Sequence, residues 1–412
     1  MTPPPPDSSR GSRWSWRNAG AEFIRSEVSG GAVLLVAAIL ALIWANAPFS
    51  ESYTTFWATQ VTLPIPFEGK TESLQYWVND LLMVLFFFVV GLEIKRELAV
   101  GELKDPSKAR LPLIGAIGGV VLPGAIFLML NAGGEAARGW AIPMATDIAF
   151  AIGVLALLGK RIPSGVRVLL LSIAIVDDVI AILIIAVFYT ADLDPAWVAA
   201  SVAGLAIVVA MQRAGIGRIW PYWIIGAFVW VAVLSSGVHA TIAGVILGLM
   251  TPAHPIGGRH VIEELEHRLH PWTSMVIVPI FALANAGVAL GGGVVADAVG
   301  SDLFWGIGLG LVVGKVLGIS GAVFLASRLG LGQLPSGVEK SHVWGIAALG
   351  GIGFTVSIFI TGLAFDSVTL LEYAKIGIFA GSLVSALLGS SILLLATRRK
   401  RDRTTRPEMV EG

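Results

Sequence analysis

An apolar run from Val168 to Tyr189 holds two adjacent aspartates, Asp177 and Asp178, near its midpoint. The run is long enough to cross the hydrocarbon core of a bilayer, and it carries no other charge. An acid at that depth costs about 2.5–3.5 kcal/mol on insertion scales, and neighbouring acids repel each other. We therefore expect these carboxylates to bind a cation or to carry protons across the membrane. The alternative is a buried pair that a partner neutralises and that serves packing only.

The composition predicts an all-α polytopic membrane protein. Of the 412 residues, 55% are hydrophobic and only 14% are charged, whereas a soluble domain has about a quarter of its residues charged. The chain has no cysteine, which excludes disulfides, thiolate metal sites and thiol nucleophiles.

The apolar segments predict a membrane domain over residues 30–396, between a polar tail at 1–29 and a basic tail at 397–412. Twelve candidate spans lie at 30–47, 77–95, 111–131, 140–158, 168–189, 196–211, 220–235, 238–250, 273–290, 304–326, 343–364 and 374–396. Lysine and arginine gather in alternate loops and in both tails. The positive-inside rule then predicts that both termini are cytoplasmic.

Two segments on the predicted extracytoplasmic side, the end of the first span and the loop after it, each fit two structural interpretations. The first span ends in Ala45-Asn46-Ala47, a small-x-small pattern that also fits a signal peptide, and we interpret it as a retained helix. The loop at 48–76 contains the alternating stretch TQVTLPIPFEGK, which predicts either a β-hairpin or a plain solvated loop.

Spans four and eleven are predicted to be interrupted at mid-membrane. Span four has Pro143 one turn before Thr146 and Asp147, and span eleven has a glycine cluster at 350–353. Two interrupted segments in corresponding halves point to a transporter binding site. An ordinary proline kink is the alternative for span four.

Lys315 lies within span ten, beside glycines spaced four residues apart. A buried lysine needs a counter-ion, and the aspartate pair is the candidate. Since neighbouring helical residues point about 100° apart, one aspartate can face Lys315 while the other faces water. The carboxylates, the Thr146 hydroxyl and freed carbonyls would supply oxygen ligands to Na⁺ or Li⁺. Protons would compete for the same oxygens, which is sufficient for exchange.

At these residues the chain resembles the NhaA family of sodium/proton antiporters. The matching stretches, in family order, are GLEIKREL (91–98), GWAIPMATDIAFAIGVLALLG (139–159), AIVDDVIAI (174–182), SGVHATIAGVILG (236–248), LEHRLHPW (265–272), FALANAGV (281–288), GKVLGIS (314–320) and GIGFTVSIFI (351–360).

The resemblance implies inverted repeats in which spans four and eleven cross. It implies that Asp178 is the principal Na⁺/Li⁺-binding carboxylate, with Asp177 beside it and paired with Lys315. It implies that Asp147 and Lys315 compensate the half-helix ends and that Thr146 lies at the crossing.

If both carboxylates release protons for each monovalent cation, transport is electrogenic. The resemblance also implies pH regulation and a homodimer joined through an outside hairpin at about 59–69. The implied pH-sensing candidates are Glu93, Arg96, Glu97, His239, Glu266 and His267, with His270 as a further candidate. The protein is then expected to be a secondary transporter of a bacterial inner membrane and not an enzyme. We expect no cofactor beyond the transported ions, and no nucleic acid partner.

Three other functions compete with an antiporter. A sodium-coupled symporter for an organic anion would need a roomy polar pocket. An intramembrane aspartyl protease would need a GxGD sequence on a helix separate from its partner aspartate, and the chain has no GxGD. A cation channel would carry current without proton counterflow.

Overall fold

The computed structural model describes residues 16–63, 69–190, 193–255 and 260–405. Residues 1–15 and 406–412 of the two predicted tails lie outside the described residues. The fold is mostly helical, with one small sheet in the described part, which agrees with the predicted all-α class.

The α-helices are α1 (Trp16–Asn46), α2 (Glu51–Ala58), α3 (Leu74–Trp77), α4 (Met83–Ala99), α5 (Pro106–Asn131), α6 (Ile148–Leu157), α7 (Ser164–Phe188), α8 (Pro195–Arg213), α9 (Trp220–Ser235), α10 (Thr241–Met250), α11 (Val261–Trp272), α12 (Val278–Asn285), α13 (Val294–Val299), α14 (Asp302–Leu309), α15 (Lys315–Arg328), α16 (Lys340–Leu349), α17 (Phe354–Ala364) and α18 (Val368–Thr405). The 3₁₀ turns span Glu102–Lys104, Glu135–Met144 and Gly159–Arg161. The π-helical turns span Val78–Leu82, Thr273–Ile277 and Gly310–Gly314.

Seven helical stretches of the described chain are long and apolar enough to cross a membrane, and two bent helix pairs raise that number to nine. The bent pairs are Glu135–Met144 with α6, at 42°, and α16 with α17, at 46°. The predicted seventh and eighth spans correspond to the shorter helices α9 and α10. The total of twelve spans therefore stays a prediction.

The predicted loop hairpin has two paired strands. Strand β1 (Gln60–Leu63) runs antiparallel to β2 (Lys70–Ser73). The turn at 64–68 lies outside the described residues. Ser73 then caps α3 by accepting a hydrogen bond from the Tyr76 amide, so the loop leads directly into the second span.

Close backbone packing of α15 against α5 buries Lys315. A Cβ atom at Gly318 would lie 2.2 Å from the Gly118 carbonyl oxygen of α5. Only glycine permits this approach, which holds α15 against α5 as the glycine spacing of span ten indicated. The Lys315 side chain, at the start of α15, is consequently fully buried.

Candidate cation-binding site

The breaks in spans four and eleven lie against each other. The 3₁₀ turn that contains Pro143 ends at Met144, residues 145–147 are not helical, and α6 starts at Ile148. The Asp147 amide donates to the Ile352 carbonyl at 2.6 Å, and the Thr146 hydroxyl lies 2.8 Å from the Gly350 carbonyl. Each break thus satisfies part of the backbone that the other leaves unpaired.

One carboxylate caps both helices that begin after the breaks. Asp147 Oδ1 accepts from the Phe150 amide of α6 at 3.0 Å. Its Oδ2 accepts from the Thr355 amide at 3.1 Å and from the Thr355 hydroxyl at 2.6 Å. A negative charge is favourable at these positive helix ends. Asp147 therefore holds the two breaks together.

A serine on α18 completes the cap of α17. Its hydroxyl oxygen, Ser382 Oγ, accepts from the amides of Gly353 and Phe354 at 3.2 and 3.3 Å. Neither Ser382 nor Thr355 was identified from the sequence. The position of Thr355 just past the glycine cluster was the available signal.

Lys315 and Asp177 form an ion pair that is buried away from solvent. The Lys315 ammonium donates to Asp177 Oδ2 at 2.6 Å and to Thr146 Oγ1 at 3.1 Å. Thr146 Oγ1 also lies 2.7 Å from the same Asp177 oxygen. The side chains of Lys315 and Asp177 are 0% and 2% exposed. Asp177 Oδ1 is buried without a hydrogen-bond partner in the described part of the chain.

Asp178 has different surroundings, although it is the next residue. Its carboxylate makes no hydrogen bond or ion pair with any residue that the structure describes. It is 8% exposed and lines a cavity of about 60 Å³. Such a volume holds a few water molecules, so the cavity suits a small ion with part of its hydration shell.

The cavity walls are acidic and rich in oxygen. Its ionisable residues are Glu93, Asp147, Asp178 and His270, and its hydroxyl-bearing residues are Thr146, Thr273, Ser274 and Thr355. Hard cations take oxygen ligands, and the acids exclude anions by repulsion. In the described chain no three His, Asp or Glu side chains converge as a divalent metal site would require.

The predicted pH-sensing residues occupy four different places. At the far end of α4 Arg96 donates to Glu266 and lies 3.6 Å from Glu97. Glu93 lies 3.8 Å from His270 Nε2 and also lines the cavity. Burial raises the pKa of Glu266, and the nearby charges of Arg96 and His270 partly offset that rise.

Two of the predicted histidines lie apart from this cluster. His267 is exposed on α11, whereas His270, one turn later, is the buried histidine. His239 lies in the loop between α9 and α10, where it interacts electrostatically with Asp80 near the opposite end of the second span. A helix of period 3.6 places residues three apart on related but not identical faces, which the sequence alone did not resolve.

Comparison with known proteins shows the family of this chain. The sequence model of the family described as "Na+/H+ antiporter 1" matches residues 21–393. The chain is 47% identical to Na(+)/H(+) antiporter NhaA 2 of Erythrobacter litoralis, over 92% of this chain and 94% of that protein. It is 45% identical to Na(+)/H(+) antiporter NhaA of Yersinia enterocolitica, over 93% of this chain and 98% of that protein. The chain therefore belongs to the Na⁺/H⁺ antiporter 1 family.

Proposed function

We propose that this protein exchanges cytoplasmic Na⁺ or Li⁺ for external protons by alternating access at Asp177 and Asp178. The observation that carries the proposal is the unpartnered Asp178 carboxylate in an acidic cavity, beside the sealed Lys315–Asp177 pair. The names of the relatives, which are Na⁺/H⁺ antiporters, support Na⁺ and H⁺ as the exchanged ions. The protein is a secondary transporter and not an enzyme, in the multi-pass class of bacterial inner-membrane proteins.

The exchange step is a competition for oxygen atoms. In the proposed cycle Asp178 is the principal ligand, Asp177 and Thr146 complete the site, and a proton displaces the cation when the site faces outward. Two protons per monovalent cation, one for each carboxylate, would move one net charge in each cycle. The transport would then respond to membrane potential. Cation and protons are the transported substrates, and the proposal needs no cofactor.

The positions of Lys315 and Asp147 suit the roles proposed for them. Lys315 holds Asp177 and Thr146 at 2.6 and 3.1 Å, and Asp147 binds the first turns of both α6 and α17. Breaking or remaking these bonds would move the breaks relative to α7, which is what alternating access at a fixed mid-membrane site requires.

The finer topology belongs to the same proposal. We propose that the chain has twelve spans with both termini in the cytoplasm, and that its inverted repeats place spans four and eleven across each other. We propose also that two chains form a homodimer through the hairpin at 59–69. We propose pH regulation through the candidates on α4 and α11, with a separate contribution from His239. The ion pairs Arg96–Glu266 and His270–Glu93 support the first part, because protonation changes the charge of a carboxylate or an imidazole and so makes or breaks such a pair.

The size of the cavity supports an inorganic cation over an organic anion. Pockets for organic ligands usually span about 300–1,000 Å³, compared with about 60 Å³ here. Its acidic lining would also repel an anion. An organic-anion symporter therefore ranks second.

Proton flux in proteoliposomes with a preset pH gradient tests the proposal. Na⁺, Li⁺ and K⁺ are added in turn between about pH 6.5 and 8.5, near the range in which histidine titrates. We expect Na⁺ or Li⁺ to collapse the gradient, and an imposed membrane potential to change the rate. A rate insensitive to potential would contradict the two-proton scheme. No response to any cation would contradict antiport and lead to a screen of organic anions.

A further inference from the structure

Two hydroxyls that line the cavity have no role in the exchange cycle described so far. Thr273 and Ser274 open the π-helical turn Thr273–Ile277, directly after α11. They are 4% and 9% exposed, and both line the cavity that contains Asp178. A π-helical turn is a rare element that occurs often at functional sites.

The hydrogen bonds of these hydroxyls orient their oxygens. Thr273 Oγ1 and Ser274 Oγ each donate to the His270 carbonyl at 2.9 Å. A hydroxyl has one proton and two lone pairs, so a donated proton leaves the lone pairs for an incoming positive charge. Such oxygens suit a cation and cannot also donate to an anion.

The neighbours of Ser274 keep it in the cavity. A Cβ atom at Gly30 of α1 would lie 2.8 Å from Ser274 Cβ, so α1 packs directly on this turn. The ionisable groups of the same cavity include His270, one turn back, and Glu93 on α4, which lies 3.8 Å from His270. The two hydroxyls thus share one small acidic space with Glu93 and with the unpartnered Asp178.

We propose that Thr273 and Ser274 form a relay site that binds the partly dehydrated monovalent cation before it reaches Asp178. The inference rests on the proposed exchange function and adds a second set of oxygen ligands to it. A cation that enters the cavity must lose water, and hydroxyl oxygens replace that water at little cost because they are already oriented. Asp178 alone offers only two carboxylate oxygens.

The test compares the double variant Thr273→Val/Ser274→Ala with the wild type in proteoliposomes, across Na⁺ and Li⁺ concentrations. We expect the apparent KM for both ions to rise about three- to tenfold, which is the size of effect of one or two lost polar contacts. The maximal rate should stay within about twofold, because Asp178 and the Lys315–Asp177 pair are intact. The single variant Ser274→Ala gives the same test with a smaller change if the double variant does not fold.

Two sets of controls separate ligation from packing. Thr273→Ser and Ser274→Thr keep the oxygen and should keep the KM near the wild-type value. Ser201→Ala and Thr251→Val remove buried hydroxyls that also donate back within their helix, to Val198 and Leu247, but that do not line this cavity. These two should leave the KM unchanged.

The outcomes are distinct. An unchanged KM in Thr273→Val/Ser274→Ala, or an equal rise in the hydroxyl-retaining variants, would overturn the relay site while exchange by the wild type still supports antiport. No cation-driven proton flux in the wild type would overturn the proposed function and this inference together.

Discussion

The two sides of α7 differ more than their sequence suggests. We define the closed side by Asp177 and Lys315, a buried ion pair that also binds the Thr146 hydroxyl. We define the open side by Asp178, Glu93, His270 and the cavity between them. A turn of about 100° between adjacent residues separates a fixed carboxylate from one that is free to bind an ion. The closed side is held by bonds within the fold, and the open side contains the carboxylate that we propose as the principal cation ligand.

The largest expected effect is on the open side. Asp178→Asn removes the charge that we propose binds the cation, and we expect it to abolish Na⁺- and Li⁺-driven proton flux. Its melting temperature in detergent should stay within a few degrees of the wild type, because Asp178 makes no hydrogen bond in the described chain. Full exchange by Asp178→Asn would contradict the proposal that the open side binds the cation.

The next effect is on the stability of the closed side. Lys315→Ala leaves the Asp177 carboxylate buried without the lysine ammonium that pairs with it. Removing one partner of a buried ion pair lowers the free energy of unfolding by about 3–5 kcal/mol. Thermal unfolding in detergent measures the loss. In Asp177→Asn/Lys315→Ala no charge is left unpaired, so this double variant should be less destabilised than the sum of its two single variants. Strict additivity would argue against the pair as a stabilising unit.

Asp147 tests the contact between the breaks. Asp147→Ala removes the acceptor for the first turns of α6 and α17, and each lost cap costs about 1–2 kcal/mol. Asp147→Asn keeps an oxygen acceptor and should lose less. Asp105→Ala is the matched control, because Asp105 caps α5 in the same manner at an exposed position. An equal loss of melting temperature in Asp147→Ala and Asp105→Ala would mean that the breaks are held by other contacts.

The smallest effect concerns Glu266, which lies beyond the open side next to Arg96. Its raised pKa means that the folded state keeps this proton to higher pH than the unfolded state does. The associated stability is present below the ordinary glutamate value of 4.5 and is lost as the pH rises through the raised value. This loss of stability should appear as a fall in melting temperature with rising pH, and Glu266→Gln should make that fall smaller. Glu263→Gln, which removes a more exposed acid from the same helix, is the control. If the melting temperature of Glu266→Gln falls with pH as steeply as that of the wild type, the raised pKa of Glu266 would be contradicted.

Much of the site could be predicted from local patterns. Pro143 and the glycine cluster indicated the two breaks, because a missing amide and a missing Cβ interrupt a helix wherever the rest of the chain lies. The glycine spacing of span ten indicated the close approach that buries Lys315. The resemblance to a known family then suggested that Asp177 is its partner, which agrees with the 2.6 Å contact. The ion-binding roles themselves stay predictions.

The sequence by itself determined that this chain has membrane-spanning segments, where its helices break, and that two adjacent acids lie in the middle of an apolar segment, because hydropathy and backbone chemistry are properties of each segment. Only the tertiary structure decided which aspartate stays unpartnered, that Asp147 caps two helices, and that His270 rather than His267 is buried. It also decided that Thr273 and Ser274 line the cavity of Asp178. The reason is physical: these outcomes depend on how each helix is rotated and packed against its neighbours, and that is set by contacts between residues far apart in the chain.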